Sequence, residues 1–228
     1  MLDARDIEQL ATFYSQLTGW PVASKDSAWI ALSAPDGTEL AFQLAPDHVA
    51  PQWPAQQLPQ QLHLDLTIDG YQEAAERAVG LGATRLADGA TWVTLADPAG
   101  HPFDLCQRDG VAPMMGLFAA TIDAPDASAL AHFYAALLSM EVTYDGPEGA
   151  LIAGDGKSVM FQQIISDYNP PRWPDPAYPQ QAHLDIAVDD LDAGEARALE
   201  LGASRLAGGG AGFRVFADPA GHPFCLTR

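Results

Sequence analysis

The residues best suited to chemistry are a histidine and an aspartate that alternate with leucine in a segment that occurs twice. Residues 59–66 read Pro-Gln-Gln-Leu-His-Leu-Asp-Leu, and residues 179–186 read Pro-Gln-Gln-Ala-His-Leu-Asp-Ile. Alternate side chains of a strand point to opposite faces, so His63 and Asp65 share one face and Leu64 and Leu66 share the other. Imidazole and carboxylate groups bind metal ions or move protons. We therefore expect any chemistry on the histidine face of each copy.

The duplication extends well beyond this segment. Phe-Tyr, Trp-Pro and Leu-Gly-Ala recur with the same offset as His63 and His183, and Asp-Pro-Ala-Gly-His-Pro-Phe begins at Asp97 and again at Asp218. The repeat predicts two domains, residues 1–110 and 111–228. A strand-like segment precedes the first helix of the second copy, and Met1 falls where its counterpart should be under way. We therefore predict that the first strand of the first domain is truncated or missing.

The pattern within each copy predicts one strand, one helix and three further strands, and this order occurs twice in each copy. Residues 6–18 have helical spacing with Asp6 as the N-cap and Gly19 as the end, and residues 71–79 predict a second helix. One such unit cannot cover the inner face of its own sheet. We therefore predict an α+β fold of tandem βαβββ modules, each pair forming a curved mixed-sheet cup with helices outside. Asp104, Cys106, Cys225 and Thr227 then point into the cups with the histidines.

The composition limits the classes of partner. Eleven basic residues against thirty acidic ones give a net charge of −19. Such an acidic surface repels phosphate backbones and anionic lipid headgroups, so we expect no nucleic acid and no membrane partner, but a small-molecule ligand. The sequence shows neither a membrane-spanning run nor a signal peptide, which predicts a cytoplasmic location.

The two cysteines occupy different positions in the repeat. Cys225 aligns with Asp104, and Cys106 aligns with Thr227. A shared disulfide is therefore not expected. Cys225 has two interpretations, a buried inert thiol or a nucleophile, and the first is favoured because buried free thiols are common.

The motifs resemble those of the vicinal oxygen chelate superfamily, which includes glyoxalases, bleomycin-resistance proteins and extradiol dioxygenases, and most closely its glyoxalase-like branch. The motifs that carry the resemblance cover essentially the whole chain. They are Phe-Tyr at 13–14 with Gly-Trp at 19–20, Trp-Pro at 53–54, residues 61–66, residues 81–86 and residues 97–105, and all but Gly-Trp recur in the second copy.

The resemblance implies a metal cluster at the mouth of each cup. Mapped by position, the first cup offers Gln43, His63 and Asp104. The second cup offers Gln162, His183 and Cys225, with Ala119 where the family has its first-strand ligand. These sets depart from the family's His/Glu-rich pattern, but they could hold a divalent Zn, Ni, Co, Mn or Fe ion.

Two functions follow from the resemblance. The first is a metal-assisted lyase or isomerase step on a small organic molecule in the first cup, with Asp65 or a bound water moving the proton. The alternative is a non-catalytic binder of the bleomycin-resistance type, in which Trp53 and Trp173 stack on a planar ligand and Cys225 lines the pocket. A third interpretation is that one cup works while the other only supports it, and the second cup would then be the scaffold. An iron dioxygenase is disfavoured because each cup supplies one mapped histidine.

The predicted gap at the first strand leaves a neighbouring strand with an open edge. Open edges invite pairing, so we expect a homodimer or an internal strand exchange there. Asp97 and Asp218, by contrast, begin tight turns and are interpreted as structural.

Overall fold

The computed structural model describes residues 1–55, 57–110, 115–165, 167–175, 177–178 and 180–228. The described residues form four successive βαβββ modules, two in each copy of the repeat. Module 1 comprises β1 (Leu2–Ala4), α1 (Ile7–Thr18), β2 (Val22–Lys25), β3 (Trp29–Ser33) and β4 (Glu39–Leu44). Module 2 comprises β5 (Leu62–Ile68), α2 (Tyr71–Gly80), β6 (Thr84–Asp88), β7 (Trp92–Ala96) and β8 (Pro102–Gln107).

The second copy repeats this order of elements. Module 3 comprises β9 (Gly116–Ala124), α3 (Ala127–Leu138), β10 (Glu141–Gly146), β11 (Gly149–Gly154) and β12 (Lys157–Gln163). Module 4 comprises β13 (Leu184–Ala187), α4 (Leu191–Glu200), β14 (Ser204–Arg205), β15 (Phe213–Ala217) and β16 (Pro223–Thr227). The predicted α+β fold of tandem modules is therefore confirmed.

The first helix of each copy begins at an aspartate. The Asp6 carboxylate accepts a hydrogen bond from the backbone N–H of Gln9 at 2.9 Å, and Asp126 does the same with Ala129. Gly19 ends α1 in the left-handed conformation at φ 78°, which glycine adopts without a Cβ penalty. These caps confirm the helix predicted over residues 6–18.

The modules pair across the two copies. Modules 2 and 3 share one eight-stranded sheet of order β10-β11-β12-β9-β5-β8-β7-β6, in which β5 is parallel to β8 and antiparallel to β9. Modules 1 and 4 contribute two four-stranded sheets, β1-β4-β3-β2 and β13-β16-β15-β14, which a bridge between Leu2 and Ala182 connects. We call the histidine-bearing face of the sheet at β5, β8, β9 and β12 the central hollow, and the corresponding face at β1, β4, β13 and β16 the terminal hollow.

This pairing corrects the expectation that each copy closes its own cup. Every module presents the same edge, that of its first strand, so the repeat alone does not choose the partner. In the structure β5 pairs with β9, and β1 pairs with the segment before β13. Each hollow therefore combines one module from each copy.

The first strand is short but present. β1 has three residues and β9 has nine. The backbone N–H of Asp3 donates to the Gln181 carbonyl at 2.9 Å, and the N–H of His183 donates to the Met1 carbonyl at 3.1 Å. The edge of β1 that faces away from β4 is thus covered by an internal exchange with module 4. Residues 111–114, part of the linker between the copies, lie outside the described residues.

The leucine face of β5 lies in the core and the histidine face lies in the central hollow. Leu64 and Leu66 are buried together with Phe103 and Leu105 of β8, and α2 packs on β5, β7 and β8. His63 and Asp65 point to the other side of the sheet, where they meet Asp104. Across the described residues, no helix combines the length and the apolar character needed to cross a membrane.

Candidate functional site

A cluster of three ionisable side chains lies in the central hollow. Ligand atoms of His63, Asp65 and Asp104 all lie within 4.8 Å of one another, and Nε2 of His63 is 3.7 Å from Oδ1 of Asp65. The register of the parallel strands β5 and β8 sets Asp65 directly beside Asp104. Strand alternation and register together therefore assemble the cluster.

Neighbouring polar groups fix His63 and Asp65. Nε2 of Gln60 lies 3.1 Å from Nδ1 of His63 and donates to it, so in the neutral ring the proton sits on Nε2. Oε1 of Gln60 is buried without a partner among the described residues. The amide nitrogen of Gln60 also donates to Oδ1 of Asp123 at 3.2 Å. Turning this amide would let Nδ1 donate to Oε1 and would free Nε2 to bind a metal ion, at the cost of the hydrogen bond to Asp123. Thr121 donates its hydroxyl to Oδ2 of Asp65.

Burial shifts both carboxyl groups of the central hollow. It raises the pKa of Asp65 to about 6, against the opposing hydrogen bond from Thr121. Burial also raises the pKa of Asp104, although the charge of His63 opposes it, and Oδ1 of Asp104 is buried without a partner among the described residues. A divalent cation would stabilise both carboxylates in their charged form.

The terminal hollow holds an equivalent cluster with a thiol. Ligand atoms of His183, Asp185 and Cys225 lie within 4.8 Å of one another, and Nε2 of His183 is 3.5 Å from Oδ1 of Asp185. β13 and β16 pair Asp185 with Cys225, the register that pairs Asp65 with Asp104 in the central hollow. Nδ1 of His183 is buried and has no partner in the described part of the chain.

The electrostatics of the terminal cluster differ from those of the central one. Burial acts to raise the pKa of Asp185, but the hydrogen bond and the charge of His183 outweigh it, so this pKa lies below its ordinary value. Burial and the charge of Asp185 raise the pKa of the Cys225 thiol to about 12. The thiol is therefore protonated at neutral pH, which argues against a free nucleophile.

A cavity of about 750 Å³ opens onto the terminal cluster. His183, Asp185 and Cys225 form part of its wall. Trp29 and Phe213 add aromatic surface, and Gln43, Glu39 and Lys157 add polar groups. Room for an organic molecule thus lies directly against a cluster that could hold a metal ion.

The structure separates two glutamines from their predicted partners. Gln43 lines the cavity of His183 and not the hollow of His63, so its assignment to the first cup is wrong. Gln162 belongs to the central sheet, where it pairs with Asp123, so its grouping with His183 is also wrong. Both corrections follow from the pairing of modules across the copies.

The register also identifies which residues lie level with His63. His63 pairs with Thr121, and Thr121 pairs with Met160, so Gln162 lies two residues further along β12. Ala119 lies opposite Asp65, where its methyl group offers no ligand atom. In the central hollow, module 2 therefore supplies the whole described cluster.

The two connector tryptophans lie away from the 750 Å³ cavity wall. Trp53 and Trp173 each precede a cis proline and are half-buried. Trp173 lines a separate cavity of about 260 Å³ between the connector and the end of β4. The predicted stacking on a ligand of the terminal hollow would therefore fall to Trp29 and Phe213 instead.

Sequence reasoning did not assign Asp185, Trp29 or Phe213 to the terminal site. Asp185 could have been found, because it repeats Asp65 in the same motif. Trp29 carried no such signal, because its counterpart in the repeat is Gly149. Comparison of the two copies therefore identifies site residues that both copies share, but not those that only one copy has.

The repeated Asp-Pro-Ala-Gly-His-Pro-Phe motif forms a buried turn. Oδ1 of Asp97 accepts the backbone N–H groups of Ala99 at 2.8 Å and His101 at 3.0 Å, and Oδ2 accepts the Tyr14 hydroxyl at 3.0 Å. Asp218 and Tyr134 repeat this arrangement. These contacts support a structural role for both aspartates.

Both clusters have donor sets that fit a divalent first-row ion. The central one offers one imidazole nitrogen and two carboxylates, and the terminal one offers nitrogen, oxygen and sulfur. Each also contains a buried polar atom that lacks a partner within the described residues, Oδ1 of Asp104 and Nδ1 of His183. The residues present therefore fit a metal.

The paired βαβββ modules define a fold that several solved structures share. Glyoxalase I from Zea mays aligns with a TM-score of 0.67 and 18% identity, over 99% of this chain and 89% of that one. A mutant of the same maize enzyme aligns with a TM-score of 0.69 and 18% identity, over 99% and 91%. A proposed dioxygenase from Bacillus subtilis subsp. subtilis strain 168 aligns with a TM-score of 0.63 and 12% identity, over 99% and 82%.

The family follows from the sequence match. The family model described as a glyoxalase-like domain matches residues 1–106 and again residues 119–227. The chain therefore belongs to the glyoxalase-like domain family, within the vicinal oxygen chelate superfamily. No curated protein matches the sequence.

Proposed function

We propose that this protein is a metal-dependent enzyme that carries out a lyase or isomerase step on a small organic molecule in the terminal hollow. One observation carries the proposal, namely that the cluster of His183, Asp185 and Cys225 opens into a cavity of about 750 Å³. This choice of hollow reverses the expectation that the second cup is the scaffold.

The residues of the terminal hollow have distinct roles in the proposed reaction. His183 and Cys225 would hold the ion, which when bound supplies a Lewis acid that polarises a substrate carbonyl. Asp185 is the most open of the three, with 28% of its side chain exposed. Its ionised carboxylate would take the proton from the carbon next to that carbonyl, while Trp29 and Phe213 pack on the apolar part of the substrate and exclude water.

The central hollow is proposed as a second metal site. His63 and Asp104 would hold the ion there, and Asp65 keeps the predicted role of proton carrier. A pKa of about 6 places the ionisation of Asp65 near neutral pH, where a general base works best. The hydroxyl of Thr121 orients this carboxylate.

The structural neighbours suggest two classes of chemistry. The likeness to maize glyoxalase I favours the lyase interpretation. The likeness to the proposed Bacillus subtilis dioxygenase raises the alternative of oxygen chemistry. An iron site of that kind needs two histidines and one carboxylate, and each cluster brings together one histidine.

The second candidate function is binding without chemistry. It is favoured by the methyl group of Ala119 opposite Asp65 and by the aromatic walls of the terminal cavity. A pure binder would need no metal ion. Metal content therefore separates the two functions.

The test measures two quantities, the metal content of the protein and the exchange of substrate protons for deuterium. Elemental analysis should find metal in the purified protein, His63→Ala and His183→Ala should each lower it, and His132→Ala on the exposed face of α3 should not. In deuterated water, the wild type should exchange the carbon-bound protons of simple α-hydroxycarbonyl compounds, and chelator or Asp185→Asn should abolish this exchange. Wild-type exchange that survives complete metal removal would contradict the proposal, and so would protein that binds no added ion.

We also propose a homodimer and a cytoplasmic location as separate points. The cytoplasmic location stays a prediction from the sequence alone. The open edge that first motivated the dimer is occupied by residues 181–183, so a dimer would have to use another surface. Sedimentation velocity decides the oligomeric state.

A further inference from the structure

A second cavity lies beside the 750 Å³ cavity, next to the connector that precedes β13. Its volume is about 260 Å³, and we call it the connector cavity. Its wall includes Asp3, His48, Trp173, Asp175 and Tyr178, while Gln43 contributes both to it and to the larger cavity. The proposed reaction uses none of the five.

The first orphaned acceptor of this wall is a buried carboxylate. Asp3 is only 4% exposed, and its Oδ2 accepts a hydrogen bond from Nε2 of Gln180 at 3.0 Å. Its Oδ1 is buried and has no partner among the described residues. An unpaired buried carboxylate oxygen is costly, so this position favours a ligand that brings a hydrogen-bond donor.

The second orphaned acceptor is a histidine nitrogen. His48 is 5% exposed, and its Nε2 lies 3.1 Å from the Ala99 carbonyl, which can only accept, so Nε2 carries the proton. Burial and the neighbouring His101 lower the pKa of His48 to about 4, so the ring is neutral at pH 7. Nδ1 is then an acceptor, and it has no partner in the described part of the chain.

The charges around the connector cavity favour a cation. Its wall contains the carboxyl groups of Asp3, Asp47 and Asp175. Burial raises the pKa of Asp3, although the charge of His183 and the hydrogen bond from Gln180 oppose this shift, and a bound cation would favour its ionised form. The nearby cations are engaged elsewhere. Arg5 donates to the His48 carbonyl, Arg172 stacks on Tyr178 at 4.1 Å, and His101 pairs with Asp97. Trp173 also lines the cavity, and its indole N–H donates to the Ala207 carbonyl at 3.4 Å. The face of an indole ring attracts cations.

The corresponding positions of the repeat differ at three residues of this wall. Asp175 corresponds to Ala55 and Tyr178 to Leu58. His48 corresponds to Tyr168, whose hydroxyl lies 3.1 Å from both the Ala220 carbonyl and Nε2 of His222. Asp3, Asp47 and Trp173, by contrast, have counterparts of the same type in Asp123, Asp167 and Trp53. The carboxyl group of Asp175 and the imidazole of His48 therefore distinguish the connector cavity from the corresponding region of the repeat.

We propose that the connector cavity binds a small planar organic cation of the amidinium type, whose N–H groups meet Asp3 and His48 and whose plane stacks on Trp173. Two acceptors in one wall match the paired donors of an amidinium group. A cavity of about 260 Å³ admits a small aromatic amidine but not a large drug.

The experiment is calorimetric titration of chelator-treated protein with benzamidine. Neutral benzamide and anionic benzoate have the same shape and serve as ligand controls. Benzamidine should bind and the other two should not. Asp3→Asn should weaken binding about tenfold. Asp175→Ala places at this half-exposed position the residue type of its counterpart Ala55, and it should weaken binding about threefold.

Two control variants test whether benzamidine binds in the connector cavity or elsewhere. Asp123→Asn, the counterpart of Asp3, and Asp185→Asn in the terminal hollow should both leave the affinity unchanged. If Asp3→Asn does not fold, Asp175→Ala decides. No benzamidine binding, equal binding of benzamide, or loss of binding in Asp185→Asn but not in Asp175→Ala would overturn the proposal. Because the protein is stripped of metal, failure of the proposed enzyme function would not change this result.

Discussion

At the scale of single residues, replacing Asp65 and replacing its counterpart Asp185 should change the free energy of unfolding in opposite directions. The folded-state pKa of Asp65 is raised to about 6, so its stabilising contribution is present below the ordinary value of 3.8 and is lost as pH rises through 6. At pH 7, Asp65→Asn should therefore stabilise the metal-free protein by about 1–3 kcal/mol. Urea denaturation of chelator-treated protein measures this change.

Asp185 has the reverse sign. Its pKa is lowered, so its contribution is present above 3.8 and is lost as pH falls through the folded-state value. Asp185→Asn should destabilise the metal-free protein at pH 7.

Added metal should raise the melting temperature of the wild type more than that of either variant. If both substitutions shift the free energy of unfolding in the same direction, the electrostatic account of the two hollows is wrong.

Strand alternation was enough to place His63 and Asp65 on one face and Leu64 on the other. The same reasoning could not place Gln43, because its neighbours depend on which modules pair. Nor could it find Asp3 and His48, whose significance lies in hydrogen bonds they lack among the described residues. Local periodicity therefore predicts faces, and only tertiary structure predicts partners.

At the scale of elements, the buried turns hold the first helix of each copy to the sheet. The Tyr14 hydroxyl of α1 donates to Asp97, and Nε2 of His101 in the same turn lies 3.2 Å from the Gln181 carbonyl of module 4. One turn thus connects three modules. The cap residues and helix ends were predictable from the sequence, but this connection was not, because its partners lie 80 or more positions apart.

Removing the tyrosine hydroxyl tests this connection. Tyr14→Phe leaves the buried Asp97 carboxylate with one partner fewer, so the free energy of unfolding should fall by about 1–3 kcal/mol. Tyr134→Phe should have a similar effect through Asp218, while Tyr71→Phe, whose hydroxyl contacts the Ala90 carbonyl on the surface, should have almost none. Equal costs for all three variants in urea denaturation would show that the buried pairs have no special role.

At the scale of the whole molecule, the hollows depend on both copies at once. The repeat predicts the modules and their βαβββ order, but each module offers the same first-strand edge, so the pairing could not be predicted. The division into residues 1–110 and 111–228 describes the duplication. It does not divide the sheets, because β5 pairs with β9 across it.

Expressing the two halves as separate chains tests this arrangement. Residues 1–110 and 115–228 produced together should form a stable complex, because each half alone exposes the edges of β5 or β9. Affinity purification of one tagged half should recover the other in equal amount. Two halves that remain monomeric in sedimentation, each with its own cooperative melting transition, would contradict the pairing across copies.

The central claim is that histidines 63 and 183 face hollows where carboxylate and thiol groups complete a metal site. Crystals grown with Co²⁺ and measured at the cobalt absorption edge test it most directly. We predict anomalous peaks among His63, Asp65 and Asp104 and among His183, Asp185 and Cys225. Fully ordered side chains at both positions with no peak at either, or peaks only on the outer surface, would contradict the account.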